Sequence, residues 1–204
     1  RLYDNTVIVY TSDHGDYMGH HHRILKGNRM LEPLIRVPLI IKCPSDYLLR
    51  GIDSRLVNNI DVAPTLLSAA GLKPPDTMAG MDLTDRAASA DYVFAEAGYE
   101  YMVRSRTRKL LVHRNAELSM FFDLERDPLE MKNLFSSAEH QSEIARLRSQ
   151  LDGWPLFDNS VTNYLNREAP LCKAVNVPDG DTGLYSHFSS IMTEAANKPI
   201  EATD

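Results

Sequence analysis

Asp13 and His14 stand side by side at the end of an apolar run, Asn5-Thr-Val-Ile-Val-Tyr-Thr-Ser-Asp-His-Gly15. A carboxylate oxygen suits a hard divalent cation, and a neutral imidazole suits Zn or Mn better than Ca. At the C-terminal end of a strand the pair would sit where ligands bind in open α/β sheets. Gly15 lets the backbone turn tightly behind them. The step Ser12-Asp13 also fits a helix or turn cap, so both readings stand at this point. Lys26 closes a mostly polar loop, where an ammonium can offset charge on a substrate or leaving-group oxygen. A solvated surface lysine is the plain alternative. Within that loop, His20-His21-His22 has the composition of a metal tract or of ordinary loop polarity, and His21 is the candidate for a place at the substrate edge. Cys43-Pro44-Ser45 invites a nucleophile reading, but Asp46 follows the serine where an arginine would be needed. It reads as punctuation between a strand and a loop, and Cys172 has no partner motif.

The elements that must hold these residues can be read from apolar spacing. Val7 to Tyr10 predicts a buried parallel strand, because no polar residue alternates with the apolar ones. Met30 to Arg36 predicts a helical turn, on which Glu32 and Arg36 lie four apart and can pair. Val37 to Lys42 predicts a second apolar strand, its proline tolerated early in the strand. Asn59 to Ala70 predicts a helix with Asp61 and Pro64 in the first turn and Gly71 at its C-terminal cap. After the stiff Leu72-Lys-Pro-Pro-Asp connection the pattern changes. Tyr92–Glu96, Tyr101–Arg106, Lys109–His113 and Met120–Leu124 predict short strands of an antiparallel sheet, since no helix separates them. Ala138 to Leu151 predicts an amphipathic helix that buries Ile144, Leu147 and Leu151. Three parts follow: 1–85 as an α/β portion, 86–153 as an antiparallel subdomain with its helix, and 154–204 as a weakly patterned tail with a turn cluster at Asp179–Gly183.

Composition narrows the partners. The 204 residues are 43% hydrophobic and 25% charged, which is ordinary for a globular chain. A net charge of −6 with dispersed basic residues argues against nucleic acid. No apolar run reaches the roughly 20 residues of a membrane span. Two cysteines do not make a disulfide framework. The N-terminus lacks a basic-then-apolar signal pattern, and no Asn-X-Ser/Thr sequon occurs, so localisation stays open.

Taken together, Asp4–Asp16, Met18-Gly19, His21 and Lys26-Gly27 resemble the second metal-and-sulfate motif of the sulfatase family, within the alkaline-phosphatase-like superfamily. Glu32 with Ile35–Ile41, Asn59–Leu67 with Ala70–Leu72, Pro75 and Gly80, and Arg106-Thr107, Lys109 and Phe122–Leu134 continue the likeness to about residue 151. The resemblance implies the C-terminal portion of an alkaline-phosphatase-like α/β/α sandwich, followed by a small antiparallel sheet with a packed helix. It implies Asp13 and His14 as ligands of a divalent cation, usually Ca²⁺, with Mn²⁺ or Zn²⁺ as alternatives. It implies Lys26 on the sulfate and its bridging oxygen, with His21 in the same loop. The family's Gly-Glu-His-Gly is Gly19-His20-His21-His22 here, which alters the fit of the loop to its substrate. Its nucleophile, a formylglycine made in a Cys/Ser-X-Pro-X-Arg motif, and its first pair of metal aspartates belong upstream and have no counterpart in this chain. The expected activity is therefore sulfate-ester hydrolysis on a small molecule or glycan, with little turnover by this chain alone. A phosphate or phosphonate ester hydrolase of the same superfamily, favoured by His14, is one alternative. A non-catalytic binding or assembly module is another. Uncovered strand faces at residues 7–10 and 37–42 imply self-association or a missing N-terminal half as their cover. Tyr99, Glu100, Tyr101, Arg104 and His113 are candidates for the substrate rim, beside the simpler reading of cross-strand structural pairs.

Overall fold

The computed structural model describes residues 2–44 and 51–154. Near the N-terminus, β1 (Ile8–Thr11) pairs with β2 (Leu39–Lys42). The register runs antiparallel, with Tyr10 opposite Ile40 and Val9 opposite Ile41. The expected parallel direction is thus corrected: a continuous apolar run reports burial on both faces and carries no information on direction. Nor is that burial complete here. Ile8, Tyr10 and Ile40 share one face and are 42%, 62% and 61% exposed, which is the uncovered apolar face foreseen above.

Between these strands the chain forms a closed loop and then α1 (Glu32–Ile35). Pro33 stands in the first turn of α1, where its missing N–H is not needed. Beyond β2, a 3-10 turn at Asn59–Asp61 leads into α2 (Val62–Ala69). Asp61 is buried and holds that entry: its Oδ2 accepts from Asn58 N at 2.7 Å and its Oδ1 from Met81 N at 2.7 Å. Gly71, at φ +76°, ends the helix in the left-handed conformation that favours glycine.

A four-stranded meander follows, in the order β3 (Val93–Ala97), β4 (Glu100–Arg104), β5 (Arg108–His113), β6 (Met120–Asp123), every pairing antiparallel. The helix α3 (Gln141–Asp152) packs on this sheet through Ile144, Leu147 and Leu151, all buried. Each such side chain contributes roughly 1.5–3 kcal/mol by leaving water. Just past α3, Trp154 stacks on Phe94 of β3, ring centroids 5.1 Å apart.

One hydrophobic cluster joins the N-terminal segment to the meander. Tyr17, Met30, Leu31 and Leu34 from the first pack with Met102, Leu111, Phe122 and Leu124 from the second. Buried charges cross the same seam. Arg29 Nη1 meets Glu100 Oε2 at 2.7 Å, and Glu32 Oε1 meets Arg104 Nε at 2.9 Å and Lys109 Nζ at 3.2 Å. The expected Glu32–Arg36 pair is therefore replaced, because the sheet presents two cations that a single helical turn does not. Among the described residues no helix is long and apolar enough to cross a membrane.

Candidate functional site

β1 ends at Thr11, and the next residues bond among themselves. Ser12 Oγ donates to the His14 carbonyl at 2.7 Å, and His14 N donates to Asp13 Oδ1 at 2.9 Å. Behind them, Gly15 N donates to the Leu34 carbonyl of α1 at 2.6 Å. A Cβ at position 15 would lie 2.1 Å from the Pro33 carbonyl oxygen, so only glycine permits this approach. Asn59 Nδ2 donates to the Ser12 carbonyl at 3.0 Å, which ties the entry of α2 to the same strand end.

The imidazole of His14 is oriented from both sides. Its Nδ1 lies 2.8 Å from the Gly15 carbonyl oxygen. A carbonyl only accepts, so Nδ1 carries the proton and Nε2 presents its lone pair. That lone pair faces Lys26 Nζ at 3.3 Å and lies 3.6 Å from Asp13 Oδ2. Hydrogen bonding from His14 N holds the exposed Asp13 carboxyl below its ordinary range.

Lys26 reaches this place because the loop before it closes on itself. Gly19 N donates to the Arg23 carbonyl at 2.8 Å and Tyr17 N to the Leu25 carbonyl at 3.1 Å. Tyr17 anchors the loop: it is 1% exposed, and its hydroxyl donates to the Arg29 carbonyl. Burial pushes its phenol up. His21 and His22 stand in the same loop at φ +53° and +56°. His21 does not line the cleft described next.

Asp13, His14 and Lys26 open onto a cleft of about 880 Å³. Arg36, Arg55, Arg104 and Arg106 also line it. Two of the four guanidiniums are occupied, Arg55 by Asp53 at 2.7 Å and Arg104 by Glu32. Arg36 and Arg106 are exposed and make no ion pair among the described residues. The other rim candidates serve structure. Glu100 is 1% exposed and accepts from Met30 N at 2.8 Å, and Tyr101 is buried in β4. Tyr99 packs under the Arg114 guanidinium, and His113 Nδ1 accepts from Asn115 N. Cys43 is half-buried with its thiol pushed up by burial, the opposite of an activated nucleophile.

The donor set fits part of a metal site. Bonds of about 2.0–2.4 Å let one cation reach both Asp13 Oδ2 and His14 Nε2 across their separation. A carbonyl behind the far ring nitrogen is the usual backing of a ligating histidine. Among the described residues no cluster of three or more His, Cys, Asp or Glu could hold a metal, so the remaining donors would come from elsewhere.

The family description "N-sulphoglucosamine sulphohydrolase, C-terminal" matches residues 20–154. The chain belongs to the sulfatase family. It is 34% identical over 162 residues to an arylsulfatase of Clostridium perfringens, covering 72% of this chain and 33% of that protein. It is 32% identical over 167 residues to an N-acetylglucosamine-6-O-sulfatase of Bacteroides thetaiotaomicron, covering 73% and 30%. A solved 2-O GAG sulfatase superposes with a TM-score of 0.68 at 27% identity, covering 82% of this chain and 40% of that one. This sulfatase-family chain spans about a third of the length of the curated relatives it matches. Its fold is the C-terminal portion of the alkaline-phosphatase-like α/β domain with its antiparallel sheet and packed helix.

The structure brings the candidates Asp13, His14 and Lys26 together; the sequence reading gives no role to Tyr17, Lys109 and Glu130, which hold this region in place. A tyrosine inside an otherwise polar loop was the available signal for the first. Lys109 and Glu130 lie in the stretches that resemble the family's C-terminal signature, but the resemblance gives neither a role.

Proposed function

We propose that this chain carries the cation-binding and leaving-group side of a sulfate-ester hydrolase site, acting on a sulfated glycan or related small molecule. The observation that carries the reading is the convergence of Lys26 Nζ, His14 Nε2 and Asp13 Oδ2 within 3.3 and 3.6 Å at one strand end. In this reading Asp13 and His14 are ligands of a divalent cation, Ca²⁺ by family habit, with Mn²⁺ or Zn²⁺ suited to the imidazole. When bound, the cation would supply Lewis-acid stabilisation of sulfate oxygens and of an activated hydroxyl. Lys26 donates to the sulfate or its bridging oxygen, releasing His14 Nε2 as it does so. Arg36 and Arg106, which make no ion pair among the described residues, suit further anionic substituents, because a guanidinium binds sulfate or carboxylate in a forked geometry. Likeness to an N-acetylglucosamine-6-O-sulfatase supports a glycan. His21, on the loop, is kept as a substrate-edge candidate.

The 204 residues contain no Cys/Ser-X-Pro-X-Arg, so the formylglycine nucleophile would be contributed from outside them. The exposed face of Ile8, Tyr10 and Ile40 is the surface we assign to the rest of such a site's sheet, or to a second copy of this chain. The test is a titration of the chain with glucosamine 6-sulfate and with a phosphonate monoester, followed by the imidazole signals of His14. Sulfate ester should shift them, and Lys26→Ala should weaken that response about tenfold, the loss of one charge-assisted hydrogen bond. Equal responses with and without Lys26 would refute the assignment. A preference for the phosphonate would place the chain with the ester hydrolases of phosphorus in the same superfamily.

A further inference from the structure

We propose that Glu130, in the loop after β6, is a positioning residue for the Asp13–His14 strand end, acting through α1; the functional part of this statement rests on the site reading above. Glu130 is 3% exposed. Its Oε2 accepts from the backbone N of Glu32, the first residue of α1, at 2.6 Å. Its Oε1 lies 2.6 Å from Lys109 Nζ, a fully buried ammonium, in an ionic contact without hydrogen-bond alignment. Lys109 turns in addition to the carboxylate of Glu32, which Arg104 grips through Nε and Nη2. The first residue of α1 is thus held at its backbone by one element and at its side chain by two strands.

What α1 does with that fixation is visible two residues on. The Leu34 carbonyl receives Gly15 N at 2.6 Å, and the Pro33 carbonyl fills the space where a Cβ at position 15 would stand. Gly15 in turn offers its carbonyl to His14 Nδ1 at 2.8 Å, which sets the ring so that Nε2 faces Lys26. A continuous line of contacts therefore runs from the turn after β6 to the imidazole.

The backbone around Glu130 is built for this reach. Glu130 adopts φ +58°, unusual for a residue with a side chain. The turn that imposes it is held by Asp127, whose carboxylate accepts from Met131 N at 3.0 Å and Lys132 N at 2.8 Å, while Glu130 N donates to the Asp127 carbonyl at 3.1 Å. Strain of this kind persists where the surroundings over-determine it. The segment Asp127-Pro-Leu-Glu-Met-Lys-Asn-Leu134 gains a purpose from it: presenting one buried carboxylate to α1.

The experiment uses the full chain and measures amide hydrogen exchange at Gly15 with the imidazole ¹⁵N shifts of His14, at one pH and without ligand. Removing Glu130 alone would strand a buried ammonium, so the test variant is Glu130→Ala with Lys109→Met. Its partner is Glu130→Gln with Lys109→Met, which keeps an acceptor for Glu32 N. A third variant, Leu147→Ala, lowers stability from the far face of the sheet. Expected is a loss of Gly15 protection of about tenfold and a shifted His14 ring in the first variant, the equivalent of one buried hydrogen bond. The second should keep both near the parent, and the third should leave the ring shifts alone. Parent-like protection in the first variant, equal losses in the first and second, or the same ring shift in Leu147→Ala would each overturn the proposal. Because no ligand is present, these results stand apart from whether the chain binds sulfate esters.

Discussion

At the scale of single residues, the site depends on close approaches. Gly15→Ala puts a Cβ against the Pro33 carbonyl at 2.1 Å. It should cost about 1–3 kcal/mol in chemical denaturation, as overpacking does, and should move the His14 ring signals. The buried carboxylates give a pH signature. Burial pushes Glu130 up, against the pull of Lys109. Burial also raises Glu32, but Lys109 and Arg104 outweigh it and leave its carboxyl lowered. The signs are opposite. Glu130 contributes stability that is present below the unfolded glutamate pKa and lost as pH rises through its raised value. Glu32 contributes stability that is present above the unfolded value and lost as pH falls through its depressed one. Melting of the parent should therefore decline as pH rises from about 4.5, and Glu130→Gln combined with Lys109→Met, which leaves no stranded ammonium, should lack that decline; superimposable pH–melting curves would contradict it. These two residues also mark what a sequence can disclose. Asp13, His14 and Lys26 were legible because their chemistry is exposed and their spacing follows a strand end and a loop closure. Lys109 stands out in the sequence only as part of the C-terminal signature, and its place beside Leu110 in a strand gives no sign of burial. Its full burial is decided only when Glu32 and Glu130, far off in sequence, arrive beside it.

Elements were more legible than their partners. The four strands and α3 fall where period-two and period-3.6 patterns place them, because each has one apolar face on a common core. The direction of β1 was not readable, since pairing direction depends on which strand returns to it. Glu100, Tyr101 and Arg104 were read as possible rim residues because a half-polar strand leaves open which side meets water. In the fold Glu100 turns inward to Arg29 and Tyr101 into the core, while Arg104 pairs with Glu32 and still lines the cleft. The helix α3 gives a direct test of the packing. Leu147 is fully buried, so Leu147→Ala should cost roughly 2–5 kcal/mol in urea or thermal unfolding. A cost under about 1 kcal/mol would mean that α3 is not held on the sheet as described.

For the whole molecule, one core and several buried ion pairs bind the segment bearing Asp13, His14 and Lys26 to the meander. The chain alone should release no measurable sulfate from an aryl sulfate, because a lone pair of ligands and one lysine lack a nucleophile; measurable turnover of p-nitrophenyl sulfate by the purified chain would refute this. The exposed strand face should make its apparent mass in light scattering rise with concentration, and Tyr10→Lys with Ile40→Lys should suppress the rise. The ring stack of Trp154 on Phe94 has a further use. Trp154 is the only tryptophan of the 204 residues, so every photon of indole emission comes from the seam between the end of α3 and the edge strand β3. Fluorescence thus provides a clock for that seam alone. Set beside far-ultraviolet dichroism in one denaturation series, it tells whether the sheet lets go of its helix before, or together with, the collapse of the rest.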